Sequence, residues 1–210
     1  MMDKREAQAR MDEIQRIMER STLYTALPGM EAILGGSLAL AGSLASMKVL
    51  GSASFGEVYK LGERAQWAFW AMWAGIAAVS VVVSVFLAMR ELRRQGLPAL
   101  PRPGRLVAFA LTPSVLVACV VTIRILWNHP HAIEYLAPLW MMCYGTGVYG
   151  AGLFSLRMPR MLGMAFMVTG AAGLLFLPGW GVLLTGLSFG GYHIVFGMLV
   201  LRKRTRMERA

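Results

Sequence analysis

The chain has 210 residues, 57% of them hydrophobic, and a formal net charge of +10. Together with a mean hydropathy of +0.55, that apolar fraction exceeds the roughly 45–50% of a soluble domain and excludes an ordinary water-soluble globule. The positive charge lies in short segments between long apolar runs, which marks membrane topology and excludes a nucleic-acid-binding surface.

Residues 3–20 are polar and helix-forming. Met11, Ile14, Ile17 and Met18 fall on one stripe, and the Glu6/Arg10 and Asp12/Arg16 pairs have the supportive i,i+4 spacing. The pattern predicts a cytoplasmic amphipathic helix that lies on the membrane surface or docks a cytosolic protein, with residues 1–27 as helix and linker. Apolar segments follow at 28–50, 67–89, 106–127, 135–156, 160–178 and 180–201. Each meets or approaches the roughly 20 residues that a helix needs to cross a hydrocarbon core. Between the second and third, "RRQGLPALPRPGR" contains Pro98, Pro101 and Pro103 and predicts an extended link. Between the fifth and sixth, "PGWG" predicts a tight hairpin, with Pro178 and Gly179 breaking the helix and Trp180 at the interface. The expected fold is all-α: a polytopic bundle of six transmembrane helices over 28–201, an N-terminal amphipathic helix and a basic tail at 202–210.

All but four of the 21 Lys and Arg residues (Lys48, Lys60, Arg64 and Arg124) fall in the segments that alternate onto one side of six spans. Basic loops stay in the cytoplasm, so both termini are expected there, in the inner membrane of a bacterium. Cys119 and Cys143 lie within apolar segments, far from any metal-binding spacing, and read as packing residues.

Few polar groups lie within the spans, and such groups turn toward protein, water or ligand. In "LSFGGYHIVFGMLV" the helical repeat places Gly186, Gly190, His193 and Gly197 on one face, so His193 is expected to meet a neighbouring helix across a small-residue groove. Glu31, Gly35, Ala39 and Gly42 share a face of the first span. A Glu31–His193 contact would join the two faces. The alternative has Glu31 capping its helix while His193 bonds a carbonyl or hydroxyl on another helix. Tyr144, in the glycine-rich "CYGTGVYGAG", is a third candidate for a buried polar site. Arg124 and Glu134 flank one short loop, where an ion pair would be ordinary. His129 and His131 lack a third metal ligand, and His193 is the only histidine within a span, so neither a metal nor haem is expected. Phosphate loops, dinucleotide fingerprints and nucleophile–base pairs are absent from the sequence, so no cofactor and no enzymatic activity are expected.

The run into "MERSTLYTALPG", the glycine-rich first span, and the closing "FGGYHIVFG" with its basic tail resemble a family of small uncharacterised bacterial six-span membrane proteins. That resemblance implies a six-span fold and marks Gly190, His193 and Gly197 as characteristic positions without assigning them a role. Two functions remain open. The first is association: self-assembly, membership of a membrane complex, or contact with a cytosolic regulator through the N-terminal helix. The second is small-solute or proton-coupled transport through a cavity around Glu31, His193 and Tyr144. Membrane lipids are partners under either reading.

Overall fold

The computed structural model describes residues 6, 10, 29–94, 96, 102–153 and 157–208. Most of the predicted amphipathic helix and residues 95 and 97–101 of the proline-rich link lie outside these residues; the ends of the link that are described, 93–94 and 102–105, are helical where an extended run was expected, because Pro103 falls in the first turn of its helix, where a missing N–H costs no hydrogen bond. Of the helix, Glu6 and Arg10 are described and form an i,i+4 pair at 3.8 Å. The described chain is all-helical. It comprises α1 (Gly29–Leu50), α2 (Glu63–Arg94), α3 (Arg102–Asn128), α4 (Leu136–Leu153), α5 (Arg157–Phe176) and α6. Helix α6 opens as an α-helix at Gly181–Thr185, passes through a π-helical segment at Gly186–Tyr192, and continues as α-helix over His193–Glu208. Short 3-10 helices at Phe55–Lys60 and Pro130–Tyr135 lead into α2 and α4.

Five of these helices are long and apolar enough to cross a bilayer. The exception is α4, the fourth predicted span. Its 18 residues include Gly145, Gly147, Gly150 and Gly152 and the polar Tyr144, Thr146 and Tyr149. It spans only about 27 Å at 1.5 Å per residue. What α4 lacks in apolarity it makes up in burial, because it lies between α3 and α5 with its backbone pressed on both. A Cβ added at Gly145 would stand 2.8 Å from the Gly163 carbonyl oxygen, and one at Gly147 would stand 3.0 Å from Leu111.

Helix α6 is clasped between α1 on one face and α4 and α5 on another. By contrast, α2 packs on α1, and α3 packs on α4. No residue in the most apolar stretch of α2 is buried. The tie between these outer helices is at one end of the molecule. There Phe55, Val58, Phe69, Ile125, Ile133 and Val182 form a core ringed by Trp70, Trp73 and Trp140. Ser54 caps the first 3-10 helix through Gly56 N–H and donates to Glu134 at 3.1 Å. Glu134 is therefore held by Ser54, and no ion pair joins it to Arg124 among the described residues. All six tryptophans lie toward this end, with Trp67, Trp127 and Trp180 exposed as an interfacial girdle would be. The arginine-rich helix ends lie at the other. The α5–α6 hairpin forms as its sequence predicts, with Gly179 at φ +87°, a conformation that only glycine adopts without strain.

Candidate functional site

The glycines of α6 meet α1, but the two candidate small-residue faces do not meet each other. A Cβ at Gly190 would lie 3.0 Å from Leu40 Cβ, and one at Gly186 would lie 2.5 Å from Ser43 Oγ; Gly197 sits against the Gly29 carbonyl. On α1 the surface receiving them is Gly29, Gly36 and Ser43, spaced at i, i+7, i+14. Gly36 would place a Cβ 2.7 Å from the Gly190 carbonyl oxygen. Ser43 Oγ donates to the Val182 carbonyl at 2.6 Å within this seam. Gly35 and Gly42 turn instead to α2, facing Ser80 at 3.7 Å and Ile76 respectively. Adjacent residues on a helix differ by about 100° in direction, so Gly35 and Gly36 serve different neighbours. Ala39 is buried on the same helix.

Glu31 belongs to the α2 side. It is half-buried near Glu91 and Arg204, which are joined by a 2.7 Å ion pair between the ends of α2 and α6. It makes no bond to His193. The Cβ of His193 lies on the α1 seam, 3.1 Å from where a Gly36 Cβ would stand, while its ring reaches round to α4. There Nε2 and the Tyr144 hydroxyl form a hydrogen bond of 2.8 Å. Of the three predicted polar residues, Tyr144 and His193 are brought together and Glu31 is placed apart.

An aromatic cage surrounds this pair. Phe166 of α5 is fully buried, with its ring centroid 5.0 Å from Tyr144 and 5.4 Å from His193. Phe189 stacks on the imidazole at 6.2 Å with an interplanar angle of 13°. Tyr192 packs edge-on against Phe166. The close backbone contact of Gly145 with Gly163 lets Phe166 slide beneath Tyr144. The π-helical segment acts from the other side. Its i→i+5 bonding changes the rotation per residue, yet Gly186, Gly190, the Cβ of His193 and Gly197 all still face α1. Sequence periodicity found the glycine seam but carried no sign of Phe166 or of the π segment. The doubled glycine in "LGGS" was the available signal for Gly36.

Nδ1 of His193 is buried and turned toward the backbone carbonyls of Phe189 and Ser188, about one turn back on α6, without a bond of good geometry. If Tyr144 donates to Nε2, the proton sits on Nδ1 and faces those carbonyls, and it is the one donor without a well-formed bond. The reverse assignment leaves both the Tyr144 O–H proton and Nδ1 unpaired. The first arrangement therefore costs less, since each buried unsatisfied group costs about 1–3 kcal/mol. Thr185 and Ser188 bond carbonyls of their own helix, those of Gly181 and Leu184. No three His, Cys, Asp or Glu side chains come together among the described residues, and Cys119 and Cys143 are free thiols. Chemically, the pair joins α6 to α4 in apolar surroundings.

An all-helical bundle with five helices able to cross a bilayer, with a histidine–tyrosine pair enclosed by aromatic rings, defines the class: a polytopic helical membrane protein. No family model, no curated protein and no solved structure matches the chain.

Proposed function

We propose that the protein acts by lateral association in a membrane, through the outward face of α2. The observation that carries this reading is the open stripe Ala71, Gly75 and Ala78, at i, i+4, i+7 on a helix whose apolar stretch is wholly unburied. A Cβ added at Gly75 meets nothing within 4 Å. A face that touches only lipid gains from bulky side chains, whereas small residues allow another helix backbone to approach. The intended occupant is a transmembrane helix, supplied by a second copy or by a larger complex. The enclosed Tyr144–His193 pair fits this reading as a clamp that fixes α6.

The associated topology has six spans, with α4 as the short interior one, and both termini in the bacterial cytoplasm. The basic helix ends and the opposite tryptophan girdle support it. Contact of the N-terminal helix with a cytosolic regulator is a further form of the same association. Single cysteines at Gly75 and Ala78, introduced in a Cys119→Ser/Cys143→Ser background, should crosslink to protein in native membranes. Cysteines at Leu38 and Leu44, on the exposed side of α1, should not. Equal crosslinking from both helices, or none from α2, rejects the reading.

Proton-coupled solute transport is favoured by one observation, a buried ionisable imidazole whose Nδ1 makes no well-formed hydrogen bond. It predicts pH-dependent uptake in proteoliposomes that is lost in His193→Asn, whereas the association reading predicts no uptake.

A further inference from the structure

Among the described residues, Tyr144 is the one tyrosine whose hydroxyl meets a side-chain base, His193 Nε2 at 2.8 Å. With the imidazole proton on Nδ1, Nε2 turns its lone pair to the phenolic O–H, the geometry for passing that proton along the bond. A helix clamp needs only the bond, but the groups around the imidazole suit a second state. Phe189 lays its ring over the imidazole at 6.2 Å and 13°, and Nδ1–H faces the carbonyls of Phe189 and Ser188. An aromatic face and carbonyl oxygens both favour a positive imidazolium over the neutral ring. No carboxylate is bonded to either member among the described residues. A charge formed there is costly to keep, so the imidazolium is a transient state that returns its proton.

A route for an electron leads out of the pair along α4. Trp140 lies four residues before Tyr144 on that helix, one turn away, which makes the two side chains neighbours. Trp140 packs against the core that contains Phe55. The Phe55 ring lies 5.9 Å from Trp70 and 6.0 Å from Trp73. Trp67, one turn before Trp70 on α2, is exposed at the surface. Two of these indoles are held in place by hydroxyls: Nε1 of Trp140 donates to Thr122 at 2.8 Å and Nε1 of Trp73 to Ser46 at 3.1 Å. Aromatic rings thus occupy each step between the buried phenol and the tryptophan-bearing end.

We propose that Tyr144 is a redox-active tyrosine, with His193 as its proton acceptor and Trp140 as its electron relay. In the step, the phenolic O–H bond breaks and an Nε2–H bond forms on the imidazole. One electron passes through Trp140 and the Trp70–Trp73 cluster to a high-valent metal complex at that surface, which is reduced by one electron. A neutral phenoxyl radical and an imidazolium remain. One electron returned along the same route, with the proton returned from Nε2, restores the pair. The inference is independent of lateral association through α2. It differs from proton-coupled transport, in which His193 exchanges a proton and Tyr144 keeps its electrons.

The test is flash oxidation of the full chain in nanodiscs by photogenerated tris(bipyridine)ruthenium(III) in the aqueous phase, read by transient absorption and by EPR of frozen samples. The parent protein carries Tyr135→Phe, which removes the exposed tyrosine at the tryptophan-bearing end. A phenoxyl radical is expected, identified by the narrowing of its EPR spectrum with ring-deuterated tyrosine, and it should form more slowly in heavy water. Tyr144→Phe should abolish it. His193→Asn keeps a polar group but no base, and should slow radical formation about a hundredfold or more, the scale of a positioned proton acceptor. Trp140→Phe should slow it while leaving the Tyr144–His193 bond in place. A phenoxyl radical that persists in Tyr144→Phe, an unchanged rate in His193→Asn, or an unchanged rate in Trp140→Phe overturns the proposal. So does a parent protein that shows no heavy-water effect, or that yields a tryptophan radical and no phenoxyl, and these two results do not depend on a variant folding. Crosslinking from Gly75 reports association separately, so the two readings fail independently.

Discussion

Gly36→Ala and Gly75→Ala make the same chemical change in two helices, and the geometry predicts opposite signs for them. At Gly36 the new methyl would stand 2.7 Å from the Gly190 carbonyl oxygen, 3.0 Å from Ile194 Cγ1 and 3.1 Å from His193 Cβ. The nearest of these is backbone, so relief requires α1 and α6 to separate by about half an ångström, which loosens a close-packed seam. Overpacking of this kind costs about 1–3 kcal/mol. Against it stands the gain of about 0.8–1.0 kcal/mol from replacing glycine by alanine within a helix. The net expectation is a loss of up to about 2 kcal/mol for Gly36→Ala. At Gly75 no atom lies within 4 Å of the added methyl, and only the gain remains, at most about 1 kcal/mol. Reversible unfolding in mixed micelles, followed by tryptophan fluorescence at low protein concentration, measures both. Gly36→Ala at or above wild-type stability would refute the tight α1–α6 seam. An equal loss from Gly75→Ala would refute the claim that α2 faces outward.

A double-mutant cycle on Tyr144→Phe and His193→Asn should show coupling of about 0.6–1.7 kcal/mol, the range for hydrogen bonds between membrane helices. The cycle on Glu31→Gln and His193→Asn should be additive to within about 0.3–0.5 kcal/mol, and strong coupling there would contradict their placement on different seams. Ser43→Ala should cost about 0.5–1.5 kcal/mol in the same unfolding assay, through loss of its buried bond to Val182; no change would mean that the bond is replaced by another. Burial pushes the Tyr59 phenol above its ordinary value of 10.0, and its hydroxyl is buried without a partner. The folded state thus holds this proton more tightly than the unfolded chain does, so its contribution to stability is intact below pH 10 and is lost as pH rises through the raised value. Tyr59→Phe should leave stability at pH 7 unchanged or slightly higher and flatten the alkaline decline; an unchanged alkaline profile would show that Tyr59 does not carry it.

Hydropathy and charge by themselves determined where the helices lie, because a 20-residue apolar run and a proline–glycine break are local facts about a chain in lipid. The six predicted segments overlie α1 to α6 closely, and the hairpin at Pro178–Gly179 forms where its residues require it. The helical repeat also found Gly186, Gly190 and Gly197 as a packing face, since small residues at one angular position allow backbone contact with any partner. It could not name the partner. Gly36, and not Gly35, receives that face, because the choice between adjacent residues depends on where α2 and α6 stand around α1. The aromatic cage was equally beyond reach. Phe166 is distant from His193 in sequence, and the ring of His193 reaches round from the α1 seam, where its Cβ lies, to Tyr144 of α4. The partners of the polar groups were decided in the same way: Tyr144 for His193, Glu91 for Arg204, Ser54 for Glu134. A span's amphipathic pattern says that a polar group turns inward, but only the packing of all the helices places a second polar atom within hydrogen-bonding distance of it.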